Sequence, residues 1–231
     1  MLRFGPADGP VVVMALPLFE EANRVRAFAV SILRELAEAD ISGVLPDLPG
    51  QGESLVPLES LSLLRIAEGL EGVFDHIDGE GRRAYVFAIR SGALLDKLGL
   101  FYGRYYFVPQ AGPDLLRELK RVRQATTANK QLSDVWYFYP DLPPDQPDPP
   151  VEVAGNLIST ALLTDLTTYE PWTSNDGGPV RTVLLTGDPR PADRHVSGPP
   201  LWRRAEPGSD SGLAQTLATD IAQWVRACEG C

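Results

Sequence analysis

The chain has 231 residues, of which 44% are hydrophobic and 8% aromatic, so it can bury the core of one α/β domain. Its formal net charge of -10 argues against nucleic acid or an anionic membrane surface as the partner, because both favour clustered Lys and Arg. No apolar run is long enough to span a membrane and the N-terminus does not resemble a signal peptide, which favours a cytoplasmic protein.

Strand-like and helix-like segments alternate along most of the chain, which is typical of a mostly parallel sheet flanked by helices. The predicted strands are, in chain order, Val11–Leu16, Ile41–Leu48, Ala84–Ile89, Tyr105–Val108, Thr182–Leu185 and a short strand around Pro200–Trp202. The predicted helices are Glu20–Ala39, residues 57–77 and Ser211–Ala227. These patterns predict an α/β fold with a sheet of about six strands, in one domain over residues 1–231.

The alternation breaks down between Gly112 and Pro179. A basic helix over Leu115–Arg123 leads to the aromatic run Trp136–Tyr139, and then Pro140–Pro150 is too rich in proline and aspartate for regular structure. Residues 113–178 are therefore predicted to be an insertion. It is either a plain surface loop with one helix or, as we favour, a lid over the C-terminal edge of the sheet that places Trp136 against the ligand.

The segment Ala88-Ile89-Arg90-Ser91-Gly92 has the build of a nucleophile elbow, but arginine occupies the nucleophile's position. In the Gly-x-Ser-x-Gly pattern a serine lies midway between two small residues, on a strained turn from strand to helix. The apolar run before Arg90 and the Gly-Ala-Leu-Leu sequence after it preserve that context. The pattern therefore predicts the fold, but it does not show whether the elbow carries a nucleophile.

Residues 47–54, Asp-Leu-Pro-Gly-Gln-Gly-Glu-Ser, follow a predicted strand and are similar to the D-x-x-G-x-G-x-S turn of α/β-hydrolases. Together with the elbow, this turn resembles that superfamily. A narrower resemblance is to the second of the two hydrolase families associated with exosortase-A systems, which accompany exopolysaccharide clusters in bacteria. It rests on residues 17–26, 45–50, 88–95, 151–155 and 198–208. The resemblance implies that arginine is usual at the elbow of that family. Comparison with longer α/β-hydrolases implies that this chain lacks their first antiparallel hairpin.

A hydrolytic triad is not complete in its expected positions. Arginine cannot be the nucleophile because its guanidinium stays protonated. Ser91 is expected to cap the first helical turn, with the role of nucleophile as the alternative. His76 is predicted to end a helix, and His195 follows a strand in the segment that normally delivers the acid.

The acidic member of a triad has candidates in the same segment. Asp188 and Asp193 are either relics of the triad acid or solvated loop carboxylates. Beyond Trp202, where the base of this superfamily is expected, the sequence has no histidine.

Arg90 has two predicted roles. It could add a fixed positive charge to backbone N–H groups at a helix N-terminus and so form an anion site. Alternatively, it could pair with Glu20 or Glu21, since a buried arginine needs such a partner. Both roles are compatible if an anionic ligand displaces the internal pair.

Two classes of function remain. The first is a catalytically degenerate α/β-hydrolase that binds a small anionic or acyl molecule, or a partner, in an exosortase-linked or exopolysaccharide pathway. The second is an ester or thioester hydrolase or acyltransferase that uses Ser91 and His195, with Asp188 as the acid. Neither class requires a cofactor or a metal, and a homo-oligomer is possible.

The C-x-x-C pair of Cys228 and Cys231 has no second ligand pair and is expected to be two thiols on a frayed tail.

Overall fold

A seven-stranded sheet forms the centre of the computed structural model, which describes residues 1–97, 101–126, 148–153, 155–174 and 177–230. The strands in these residues are β1 (Leu2–Phe4), β2 (Val11–Ala15), β3 (Ser42–Leu45), β4 (Ala84–Ile89), β5 (Gly103–Phe107), β6 (Val151–Val153), β7 (Asn156–Ile158), β8 (Val180–Leu185) and β9 (Arg194–Val196). The sheet runs in the order β1-β3-β2-β4-β5-β8-β9, whereas β6 and β7 form a separate antiparallel hairpin. All neighbours in the large sheet are parallel except β1, which is antiparallel to β3.

Helices cover both faces of this sheet. Those in the described residues are α1 (Glu20–Glu38), α2 (Leu63–Gly79), α3 (Gly112–Thr126), α4 (Thr160–Asp165) and α5 (Ser211–Glu229). The apolar faces of α1 and α5 pack on one side of the sheet, and α2, α3 and α4 pack on the other. Alternate residues of β4 enter the two cores, because successive side chains of a strand point to opposite faces. The α/β class and the predicted long helices are therefore confirmed.

The sheet has seven strands where about six were expected, and the additional strand lies at the edge beside β3. The sequence Leu2–Phe4 is short and half exposed, so its period-two pattern is too weak to predict a strand. It nevertheless pairs with β3, from Leu2 opposite Leu45 to Phe4 opposite Gly43. One antiparallel strand is thus present where the resemblance implied that the whole first hairpin is missing.

The predicted strand around Pro200–Trp202 is also wrong. Leu201–Arg203 forms a short 3-10 helix, and the strand at this edge is β9. Proline at 199 and 200 has no backbone N–H to donate to a ladder, which explains why the pairing lies earlier in the chain.

The predicted insertion is described in part. Its basic helix is confirmed as α3, and the hairpin of β6 and β7 and the short helix α4 follow later. Trp136–Tyr139, with most of the proline-rich stretch, lies outside the described residues. The lid therefore stays a prediction.

The stretch after the elbow is anchored by a buried ion pair that the sequence analysis did not predict. Arg104 of β5 is fully buried, and its Nε lies 2.5 Å from the Asp96 carboxylate. The Arg104 guanidinium also donates to the carbonyl of Gly177 and stacks 5.2 Å from the Trp172 ring. Burial raises the pKa of Asp96, although Arg104 and Tyr106 oppose this by stabilising the carboxylate.

No helix in the described ranges is long and apolar enough to cross a membrane. Cys228 lies in the last turn of α5, which ends at Gly230 in the left-handed conformation (φ 79°), so the frayed-tail prediction is wrong for this residue. Cys231 lies outside the described residues.

Candidate functional site

The turn after β4 has the backbone of a strained elbow. Arg90 follows Ile89 directly and has a φ of 54°, in the left-handed region that non-glycine residues rarely adopt. Gly92 is needed for close packing: a Cβ there would lie 2.3 Å from the carbonyl oxygen of Ala15 and 2.8 Å from that of Leu16. The elbow is therefore pressed against the end of β2, with Arg90 at its apex as expected.

The helix after the elbow is shorter than the sequence predicts. Arg90–Leu94 forms a 3-10 helix of five residues, and Leu95 caps it. So short a helix has almost no macrodipole, which removes the predicted contribution of a helix N-terminus to anion binding. Any attraction of an anion to this turn must come from the Arg90 guanidinium itself.

Arg90 is engaged by two carboxylates. Its Nε and Nη2 donate to the two oxygens of Glu21, in the first turn of α1, at 3.2 and 3.1 Å. Nη2 also lies 3.0 Å from Glu118 in α3. The guanidinium stacks on Trp202, 5.0 Å from the ring centroid. The predicted pair with a glutamate of α1 is thus present, and Glu118 and Trp202 join it.

The two carboxylates differ in their surroundings. The Glu21 side chain is 15% exposed, and burial raises its pKa even though Arg90 opposes that shift. The Glu118 side chain is 40% exposed and also accepts a hydrogen bond from Gln110 Nε2 at 2.9 Å. Loss of Arg90 would therefore cost more free energy at Glu21, whose carboxylate is mostly buried, than at Glu118. Water can solvate the Glu118 carboxylate if a ligand displaces it from Arg90.

Glu20, the other predicted partner, is exposed and lines the cavity that opens beside Arg90. Its carboxylate makes no hydrogen bond to Arg90 or to any other residue that the structure describes. The ion pair of the elbow is therefore made by Glu21.

Ser91 is fully buried and accepts a hydrogen bond from the backbone N–H of Leu18 at 2.9 Å. Leu18 lies in the loop after β2, where α/β-hydrolases place one donor of the oxyanion hole. The hydroxyl thus uses a backbone donor that a hydrolase would offer to its substrate. The contact joins the elbow to the loop, so Ser91 supports the turn without capping it as predicted.

His195 lies in the edge strand β9 and, among the described residues, takes part neither in a hydrogen bond with Ser91 nor in the ion pair of the elbow. It is exposed, and its Nε2 is 3.1 Å from the carbonyl oxygen of Asp188. Ser91 and His195 make no hydrogen bond to each other in the described part of the chain. His76 lies in the last turn of α2, as predicted, beside Glu80.

Asp188 and Asp193 have partners of their own. A bidentate contact with Arg190 lowers the pKa of Asp188, and the nearest oxygen lies 2.8 Å from Nη2. Asp193 accepts a hydrogen bond from the backbone of Thr182. Both carboxylates therefore stabilise loops around β8 and are not hydrogen-bonded to His195.

A cavity of about 390 Å³ opens beside Arg90. Its wall is mostly apolar, formed by Leu18 and Phe19 of the loop after β2, Leu115 and Leu119 of α3, and Val153 and Ile158 of the hairpin. Charged side chains also line it: Arg90 meets Glu21 and Glu118 there, and the remaining ones are Glu20, Arg24, Arg121 and Arg203. The shape suits a small molecule with an apolar body and a polar or charged end.

A second cavity, of about 640 Å³, adjoins the first. It is more polar and is lined by Gln110, Thr186 and Asp188 together with Arg117 and Arg190. Arg90, Glu118 and Trp202 line both cavities, so the ion pair forms part of the boundary between them. Within the described ranges, no three His, Cys, Asp or Glu side chains are grouped so as to hold a metal ion.

No protein-family model matches the chain, and no curated protein matches it in sequence. Solved structures are similar in fold. The tomato methylketone synthase I variant complexed with β-ketoheptanoate is 13% identical, with a TM-score of 0.56 over 96% of this chain and 99% of that one. Est1E from Butyrivibrio proteoclasticus with bound ferulic acid is 11% identical, with a TM-score of 0.55 over 98% and 94%. The monoacylglycerol lipase of Paleococcus ferrophilus is 14% identical, with a TM-score of 0.51 over 98% of each chain.

These similarities, together with the parallel sheet order and the elbow after β4, define the architecture. The chain has the α/β-hydrolase fold, as the two turn motifs implied. At such low identity the comparison shows the fold alone, so the function has to be argued from the site.

Proposed function

We propose that this protein is a catalytically degenerate α/β-hydrolase that binds a small anionic molecule with an apolar body. Arg90 recognises the anionic group, and the first cavity holds the apolar part. The observation that carries this proposal is the side chain at the elbow: a permanent cation replaces the nucleophile and reaches a largely apolar cavity.

Two of the structural neighbours support this ligand class. Ferulic acid and β-ketoheptanoate, which are bound to those two proteins, are carboxylic acids with apolar bodies. A carboxylate matches the planar guanidinium of Arg90, which binds such groups through two parallel hydrogen bonds. Arg90 makes the same two-pronged contact with the Glu21 carboxylate.

The resemblance to the exosortase-associated hydrolases supports a proposal for the pathway in which the ligand is bound. We propose that the protein acts in the cytoplasm, in a pathway linked to exosortase or exopolysaccharide. The support is the set of segments named above, of which residues 88–95 form the elbow and residues 198–208 include Trp202. Deletion of the gene in an exopolysaccharide-producing host should then change the amount or composition of the exported polymer.

Isothermal titration with decanoate tests the binding proposal. Wild-type protein should bind decanoate and not decanol, and Arg90→Met should abolish the difference between them. Arg65→Met is the matched control, because Arg65 is an exposed arginine of α2 whose guanidinium pairs with Glu68 on the same helix. Decanoate affinity that is equal in the Arg90→Met variant and in wild type would refute the proposal.

Hydrolysis of p-nitrophenyl decanoate tests the alternative enzyme. We expect no turnover above that of a heat-denatured sample, because Ser91 is buried and bonded to Leu18 and no histidine is bonded to it among the described residues. Turnover that is lost in Ser91→Ala and in His195→Ala but kept in Arg90→Met would establish the hydrolase instead.

A further inference from the structure

We infer that the anionic group of the ligand is a phosphate ester, bound where the two cavities meet by Arg121 of α3 and Arg203 after β9 in addition to Arg90. This inference rests on the proposed function and names the ligand class. The alkyl chain of such a molecule lies in the first cavity and its phosphate faces the second.

The first argument is that some of the arginines lining the cavities have no carboxylate partner among the described residues. Arg90 is matched by Glu21 and Glu118, and two other lining arginines have carboxylate partners of their own: Arg117 pairs with Asp114, and Arg190 pairs with Asp188. Arg121 and Arg203 differ, since the side chain of neither makes an ion pair or hydrogen bond with the residues that the structure describes.

The second argument is position. Both Arg121 and Arg203 line the apolar cavity and the polar cavity, so both residues lie where the two cavities adjoin. Both are exposed, and each is on a well-formed helical segment, α3 and the 3-10 helix Leu201–Arg203. Two arginine side chains on the same pair of cavities match a phosphate monoester, with its three free oxygens and double charge, better than they match a carboxylate with two oxygens and a single charge.

The third argument is the polar wall of the second cavity. Gln110 Oε1 and Trp202 Nε1 are buried atoms without a hydrogen-bond partner in the described part of the chain. Their side chains are 3% and 5% exposed and line this cavity. Such atoms are costly unless a ligand or water satisfies them: the oxygens of a phosphate dianion accept from the indole N–H of Trp202, and a water molecule beside the phosphate can donate to the amide oxygen of Gln110.

Titration with decyl phosphate, compared with decanoate, decanol and inorganic phosphate, tests the inference. Decyl phosphate should bind about tenfold more tightly than decanoate, because two further charge-assisted contacts form. Inorganic phosphate alone should bind no more tightly than decanoate, since it makes no contact with the apolar cavity. Binding of decyl phosphate that is equal to or weaker than that of decanoate would overturn the inference. Tight binding of inorganic phosphate would also overturn it, because the alkyl group would then contribute nothing to affinity.

Substitutions separate this inference from the proposed function. Arg121→Met and Arg203→Met should each lower decyl phosphate affinity about tenfold while changing decanoate affinity less than about threefold. Arg204→Met is the matched control, because Arg204 is also exposed but lines neither cavity. If decanoate binds through Arg90 and neither substitution selectively weakens decyl phosphate, the inference fails and the proposed function stands. If neither amphiphile shows Arg90-dependent binding, both fail.

Discussion

At Arg90 a single side chain connects the turn after β4 with the first turn of α1 and the middle of α3. It is 7% exposed as a residue, so its partners lose much of their hydration when they meet it. The contact is therefore a structural connection as well as a binding group. Its removal should be visible in stability even where no ligand is present.

Arg90→Met should lower the free energy of unfolding by about 3 kcal/mol, because Glu21 is left as an uncompensated buried carboxylate. Arg90→Lys should restore only part of this loss, since lysine cannot make the planar two-pronged contact. Urea denaturation at pH 7 measures both effects. Arg65→Met should change stability by no more than about 1 kcal/mol, as for other surface pairs, and an equal effect at both positions would contradict the argument.

The raised pKa of Glu21 predicts a pH dependence of stability. The folded protein holds this proton more tightly than the unfolded chain, so ionisation of Glu21 costs stability. Its contribution is most favourable below about pH 4.5, the ordinary value, and falls as pH rises through the raised folded value.

The measurement is the difference in unfolding free energy between wild type and Glu21→Gln from pH 4 to 7. That difference should move against wild type as pH rises, because the folded protein binds this proton more tightly than the unfolded chain. A flat profile for Glu21→Gln would show that Arg90 offsets its burial completely.

Among the secondary-structure elements, the contact between the elbow and the end of β2 leaves no room for a side chain at residue 92. Gly92→Ala places a methyl group 2.3 Å from the Ala15 carbonyl oxygen, which belongs to the backbone of β2 and cannot turn aside as a side chain could. The substitution should therefore lower the melting temperature severely or prevent folding, because either β2 or β4 must shift. Soluble expression and thermal unfolding of the purified variant measure this.

Gly72→Ala is the control for this substitution. Gly72 lies in α2, where an added Cβ meets nothing within 4 Å. There alanine should stabilise the protein by about 0.5–1 kcal/mol, since glycine is a poor helix former. A Gly92→Ala protein as stable as wild type would mean that the elbow does not pack against β2 as described.

In the molecule as a whole, stability should decrease from the middle of the sheet to its edges. Strand β4 is buried along its full length and pairs with β2 and β5 over five residues each, whereas β1 and β9 have three residues and one neighbour. In native-state hydrogen exchange, β4 amides should exchange only through global unfolding, and β1 and β9 amides through local opening. Protection in β9 equal to that in β4 would contradict this order.

The sequence by itself determined the alternation of strands and helices, the parallel sheet and the arginine at the elbow. These follow from local signals: apolar runs of strand length, helical periodicity and small residues around position 90. It also pointed to a glutamate at the start of α1 as the partner of Arg90, because the superfamily's loop order brings that segment to the elbow.

Only the tertiary structure decided which residues complete the site. Glu118 belongs to a basic helix whose surface side chains look equivalent in sequence, and Trp202 was expected in a strand. Arg121 and Arg203 are 82 positions apart, so no local pattern relates them. Burial and pairing of charges depend on how α3 and the segment after β9 pack around the elbow, which periodicity along the chain does not encode.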